Sequence, residues 1–261
     1  MINYRKHGTP PYQIAVIHGG PGGAGEMAPV ADHLSKKCSV LEPLQRALSF
    51  MGQVEELKMV LEAHGQLPVT LIAHSYGCFL SFVLASLYPS LVKKLILVCS
   101  GVFEEPYATN IMSTRLKRMK ETDRQKMEAL EKQFEDPQIT NKNKLISQME
   151  ELDFRADSYD PLPFDTKYVE PSYEIYEKVW PEVHSLRISG KLLDYGKHIQ
   201  CPVVAIHGDY DPRPAEGVQV PLSHTLKDFR FILLEKCGHY PWFEKQAKDR
   251  FYEILERELG G

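Results

Sequence analysis

Short apolar runs alternate along this chain with longer stretches of helical period, and that alternation leaves few architectures open. YQIAVIH (12–18), CSVL (38–41), VTLIAH (69–74) and LILVCS (95–100) are too short for helices, and each reads as a buried strand. Between them, residues 26–36 read as a helix. Phe50, Val54, Leu57 and Leu61 recur at steps of four, three and four, which makes one apolar helix face. Gly77 to Tyr88 is apolar nearly all round, as expected of a helix packed on a sheet. PVVAIH (202–207) and FRFILLE (229–235) resume the strands, and Phe243, Ala247, Phe251, Ile254 and Leu255 mark a closing amphipathic helix. The class implied is α/β, a mostly parallel central sheet flanked by helices.

From Val102 to His198 the pattern lapses, and no core strand is predicted. Thr122 and Gln125 form a capping box ahead of Met127, Leu130 and Phe134. Arg155 to Ser172, with Pro161, Pro163 and Pro171, reads as a loop. A chain of 261 residues is long for one minimal domain and short for two. An insertion resolves this: the core is expected over residues 1–101 and 199–261, with a helical cap at 102–198.

A composition of 43% hydrophobic and 25% charged residues is that of a globular chain rather than a disordered one. The net charge of −4 argues against nucleic acid or an anionic membrane as the main partner. MINYRKHGTPPYQ lacks the apolar region of a secretory signal, and no apolar run approaches the about 18 residues of a membrane span. Cys38, Cys78, Cys99, Cys201 and Cys237 are odd in number and widely spaced, so a reduced, cytoplasmic protein without a disulfide framework is expected. The histidines show neither H-x-x-x-H nor H-E-x-x-H spacing, and no metal is expected.

The chemistry gathers at the strand ends. Ala73-His74-Ser75-Tyr76-Gly77 lies between a strand and a helix, with small residues on either side of the serine. That pattern fits a nucleophile elbow, a sharp turn that exposes the serine oxygen above the sheet. The bland alternative is a serine in an ordinary loop. A serine hydroxyl needs a base, and the base needs an orienting group. His207-Gly208-Asp209-Tyr210-Asp211-Pro212 ends a strand, with Asp211 favoured as the acid and Asp209 as its rival; either could be a solvated turn aspartate. Lys236-Cys237-Gly238-His239-Tyr240-Pro241 follows the last strand and offers His239 as the base. His18-Gly19-Gly20-Pro21-Gly22-Gly23 follows the first strong strand, where Gly20 N–H and Tyr76 N–H would form an oxyanion hole. A glycine loop could instead cradle phosphate, but G-x-G-x-x-G and Gly-Lys-Ser/Thr are both missing.

Together HGGPGG, AHSYG, HGDYDP and CGHYP resemble the α/β-hydrolase superfamily, over the chain outside residues 102–198. The resemblance implies a triad of Ser75, Asp211 and His239, a cap after LILVCS, and no cofactor. The HGGPGG loop most resembles that of proline iminopeptidase-like hydrolases, although their elbow reads G-G-S-W-G and their acidic cap motif has no counterpart around Trp180. The expected activity is a serine hydrolase cleaving an ester or amide of a small, partly apolar substrate. A proline iminopeptidase-like aminopeptidase and a non-catalytic ligand receptor are the alternatives.

Phe154, Tyr159, Phe164, Tyr168, Tyr173, Tyr176 and Trp180 crowd the inserted segment, either as a pocket roof or as cap packing. Glu104 and Glu105 could meet a substrate amine or stand as solvated charges. The run from Arg115 to Lys132 reads as an exposed helix face. Cys78 and Cys237 read as packing residues.

Overall fold

The structure, a computed structural model, describes residues 3–136, 138–163 and 167–260; Phe164 lies outside the described residues. Seven strands form the main sheet in the order β1, β4, β2, β5, β6, β8, β9. They are β1 (Tyr4–His7), β2 (Ile14–Ile17), β4 (Val40–Pro43), β5 (Val69–His74), β6 (Val92–Val98), β8 (Val203–Gly208) and β9 (Phe229–Leu234). All pairings are parallel except that of β1 with β4. A separate ribbon pairs β3 (Gly23–Ala24) with β7 (Glu170–Pro171).

Strand alternation divides the core in two. Ala15, Ile17, Leu71, Ala73, Leu95, Leu97, Val203 and Ala205 face one apolar cluster, while Ile14, Val16, Ile72, Ile96, Val98, Val204 and Ile206 face the other. The first cluster takes in α2 (Phe50–His64), α3 (Tyr76–Leu87) and α9 (Glu216–Thr225); the second takes in α1 (Ala28–Leu34) and α10 (Lys248–Leu259). Both faces are therefore covered, which is why the central strands read as unbroken apolar runs.

Between β6 and β8 the chain forms α4 (Ile111–Arg118), α5 (Glu121–Glu135), α6 (Asn143–Asp157), β7, α7 (Tyr173–Ile188) and α8 (Lys191–Asp194). Helices α5 and α6 share an apolar cluster of their own, built on Met127, Leu130, Leu145 and Leu152, with Met119 just beyond α4 joining it. By contrast, Ile175, Val179, Val183 and Leu192 of α7 and α8 join the main cluster. No helix among the described residues is long and apolar enough to cross a membrane.

Several expectations need correction. The capping box does not form: α5 starts at Glu121 after Lys120 with no side-chain cap, and Gln125 instead bonds the Glu121 carboxylate. Phe243 lies in a single 3₁₀ turn (Pro241–Phe243) ahead of α10 rather than on it. Helix α6 extends into the segment read as loop from Arg155. Arg115 does not belong to an exposed face, because its guanidinium is held by Asp153 and Asp157. Glu105 is bound by Arg187 at 2.9 Å, while Glu104 is exposed.

Candidate active site

Strand β5 runs into α3 through Ser75, whose φ of 50° and ψ of −115° put it in a region that L-residues rarely occupy. The crossing is tight. A side-chain carbon on Gly77 would come within 2.7 Å of the Ile17 carbonyl oxygen, so only glycine fits there. Ser75 itself is partly exposed, between buried His74 and Tyr76.

His239 follows β9 and Asp211 follows β8, both at the carboxyl ends of parallel strands. His239 Nδ1 lies 2.6 Å from Asp211 Oδ2 and Nε2 lies 3.1 Å from Ser75 Oγ. A carboxylate only accepts, so Nδ1 carries the ring proton and the serine hydroxyl donates to Nε2. Burial and the Arg213 cation hold the His239 imidazole below its ordinary range, against the opposing pull of Asp211. Burial pushes the Asp211 carboxyl up, but His239 and Arg213 bring it lower still. The unit at rest is therefore a neutral imidazole beside a carboxylate. Asp209 faces elsewhere and accepts the Cys237 N–H at 3.1 Å.

The glycine loop reaches this unit from the other side. A carbon added to Gly19 would stand 3.2 Å from Ser75 Cβ. His18 Nδ1 donates to the Gly19 carbonyl at 2.7 Å, and its Nε2 accepts the Gln45 N–H at 3.4 Å. Gly19 N–H is taken by Glu26 Oε2 at 2.6 Å, whereas Gly20 N–H has no acceptor among the described residues. Tyr76 opens α3, where no preceding turn exists to accept its N–H. Its phenol is buried and bonds Gln53 at 2.8 Å, so only its backbone is turned to the site.

A sequence model described as the alpha/beta hydrolase fold matches residues 14–246. The chain belongs to the alpha/beta hydrolase fold family. Solved hydrolases of this fold resemble it over nearly their whole length. A carboxylesterase structure from the ammonia-oxidizing thaumarchaeon Nitrososphaera gargenis is 19% identical with a TM-score of 0.66, covering 98% of this chain and 93% of that one. The enol-lactonase from Burkholderia xenovorans is 15% identical with a TM-score of 0.63, covering 99% and 96%. A 2-hydroxy-6-oxo-6-phenylhexa-2,4-dienoate hydrolase from a Rhodococcus strain is 15% identical with a TM-score of 0.62, covering 97% and 92%. At these identities the likeness establishes the alpha/beta hydrolase fold. No curated protein sequence matches the chain significantly.

Around the site of this hydrolase fold stand groups that sequence reasoning missed. His74 Nε2 donates to the His239 carbonyl at 2.9 Å, and Nδ1 faces Glu26 Oε2 at 3.0 Å. Burial raises the Glu26 carboxyl, yet His74 and the Gly19 N–H bring it below its ordinary value. His74 thus stands between a carboxylate on one side and a carbonyl on the other. Glu244, fully buried, accepts the N–H groups of Gly238, Tyr159 and Asp160 at 2.7 to 2.8 Å. The only sign of either carboxylate was closeness in sequence: Glu26 follows the glycine cluster and Glu244 follows His239.

Cys99, Asp211 and His239 offer ligand atoms within 4.8 Å of one another. They suit a metal poorly. The carboxylate and imidazole already bond each other, and burial pushes the Cys99 thiol up, away from the thiolate that a soft metal needs.

Proposed function

We propose that this chain is a serine hydrolase that cleaves an ester or amide of a small, partly apolar molecule through an acyl-enzyme. The observation that carries the reading is the hydrogen-bonded chain Ser75, His239, Asp211 on a strained elbow. Ser75 attacks the carbonyl carbon as His239 takes its proton, and Asp211 stabilises the imidazolium so formed. Gly20 and Tyr76 N–H groups bind the oxyanion. His239 then returns the proton to the leaving group, and a water activated by the same base releases the acid.

Residues 102–198 serve as the cap in this reading. A cavity of about 860 Å³ lies under α6, with Phe154, Leu162 and Pro171 on its apolar side and Ser147, Glu150 and Lys245 on its polar side. Neither Ser75 nor His239 lines it; its wall is joined to the site through Phe154, which packs 5.2 Å from Tyr240, which in turn meets His239 edge-on at 5.0 Å, and through Pro171, which pairs with Gly23. Other aromatics of the segment pack among themselves or on the core, as Tyr176 does on Trp180 and Tyr159 on Tyr210. All five cysteines are free, which fits a cytoplasmic setting.

Glu150 favours a second reading, an aminopeptidase. Its carboxyl has no hydrogen-bond or ion-pair partner among the described residues, and burial with Glu26 and Asp153 pushes it up to about 7. Such a group would receive a substrate amine.

The test is labelling by a fluorophosphonate and turnover of short p-nitrophenyl esters, in the parent and in Ser75→Ala. Both signals should vanish in the variant. Equal labelling of the two proteins overturns the nucleophile. A parent that resists every serine-reactive probe yet is heat-stabilised by a small ligand is a receptor. Strong preference for aminoacyl dyes over acyl esters, lost in Glu150→Gln, selects the aminopeptidase.

A further inference from the structure

Asp157 ends α6, and its carboxylate is fully buried. Arg213 Nη1 donates to Asp157 Oδ2 at 2.8 Å and reaches Asp211 Oδ1 at 3.3 Å. The Arg213 backbone N–H binds the same Asp211 oxygen at 3.0 Å. Asp211 Oδ1 is thereby held by Arg213, and Oδ2 is left for His239. On its far side Asp157 is gripped by Arg115 of α4, through Nε at 2.7 Å and Nη2 at 2.5 Å. The Asp157 carbonyl oxygen also accepts the His239 N–H at 2.9 Å.

Buried ion arrays add little stability compared with apolar packing of the same shape. This one joins a helix of the inserted segment to the supports of both the acid and the base. We infer that Asp157 is a positioning residue for Ser75, His239 and Asp211: its carboxylate holds Arg213 against Asp211 while its carbonyl oxygen fixes the His239 backbone. The inference rests on the hydrolase reading above and deepens it, because the inserted segment then completes the geometry of the site.

The charged and titratable groups facing His239 make a test possible that packing alone would not satisfy. They are Asp211 and Arg213 after β8, Asp157 from α6, His74 from β5 and Glu26 just ahead of α1, with Tyr240 beside the ring. Arg213 opposes the imidazolium, and Asp157 favours it. Arg213→Met should therefore move the acid limb of kcat/KM to higher pH, and Asp157→Asn should move it to lower pH. Each should lower kcat on a small ester about 10- to 100-fold with KM little changed, as misplacement of reacting groups does. If Asp157→Asn fails to fold, Arg213→Lys, which keeps the charge but ends one bond short of the Nη1 that bridges the two carboxylates, should lose kcat with an unmoved acid limb. Unchanged kcat and acid limb in the folded variants, with loss confined to thermal stability or KM, overturns the positioning role alone. Failure of the parent to react with fluorophosphonate overturns the hydrolase reading instead, and with it this inference.

Discussion

The carboxylate of Glu244 reaches back to the Gly238 N–H at 2.8 Å, tying the start of the last helical region to the loop that carries His239. The same Oε1 accepts the Tyr159 N–H, and Oε2 accepts that of Asp160. Glu244→Ala would orphan the buried Gly238 donor and the part-buried donors of Tyr159 and Asp160, and should cost about 2–4 kcal/mol. Glu244→Gln, with its oxygen in the Oε1 position, keeps two of the bonds and should cost about 1–2 kcal/mol. Urea unfolding of the two variants should return that order; equal losses would mean that the charge rather than the donors matters.

Ser75 carries backbone strain that glycine would not. Ser75→Gly should abolish esterase activity yet unfold at the same or a higher temperature than the parent. The relief of about 1–3 kcal/mol offsets the entropy that glycine adds to the unfolded chain. Ser75→Ala, equally inactive, keeps the strain and should melt below Ser75→Gly. The reverse order in calorimetry would mean that the elbow is unstrained.

Because burial and Arg213 lower the His239 pKa, its imidazole stays neutral into mild acid. The acid limb of kcat/KM should fall below the ordinary histidine value of about 6.5. Activity should thus persist at pH values where an exposed histidine would be charged. A limb above 6.5 would show Asp211 outweighing burial.

Glu150 titrates near 7 when folded and in the ordinary carboxylate range when unfolded. Between those values the folded state binds more protons, so stability falls as pH rises through the window. Glu150→Gln removes that slope. It should stabilise the protein at pH 8 by up to about 3 kcal/mol and change little at pH 4. An equal gain at both pH values would remove the carboxyl's titration as the cause.

The sheet and the site were readable in unequal parts. Ser75, Asp211 and His239 lie in that chain order at strand ends, and each sits in a short recognisable string. Strand β1 escaped because Arg5, Lys6 and His7 leave it no apolar pattern; it pairs only at the sheet edge, where such residues are tolerated. Helix α9 escaped because Gly217 and Pro221 lie within it. Glu26, Asp157 and Arg213 escaped for another reason. Buried charges are paired across distant elements, so no local period marks them, and Arg115 looks like any solvated helix residue until Asp157 lies opposite.

The short ribbon of β3 with β7 sets what can vary. Glu170, clamped by Arg5 and Arg46, and Pro171 fasten the return of the inserted segment to the glycine loop, while α5 and α6, with Met119 just beyond α4, keep an apolar cluster of their own. Natural selection can therefore recast the faces of those three helices wherever they do not carry Arg115 and Asp157. Changes at the ribbon would disturb the loop beside Ser75 at once, so diversity among descendants of this sequence should collect in the helices and stop at Glu170.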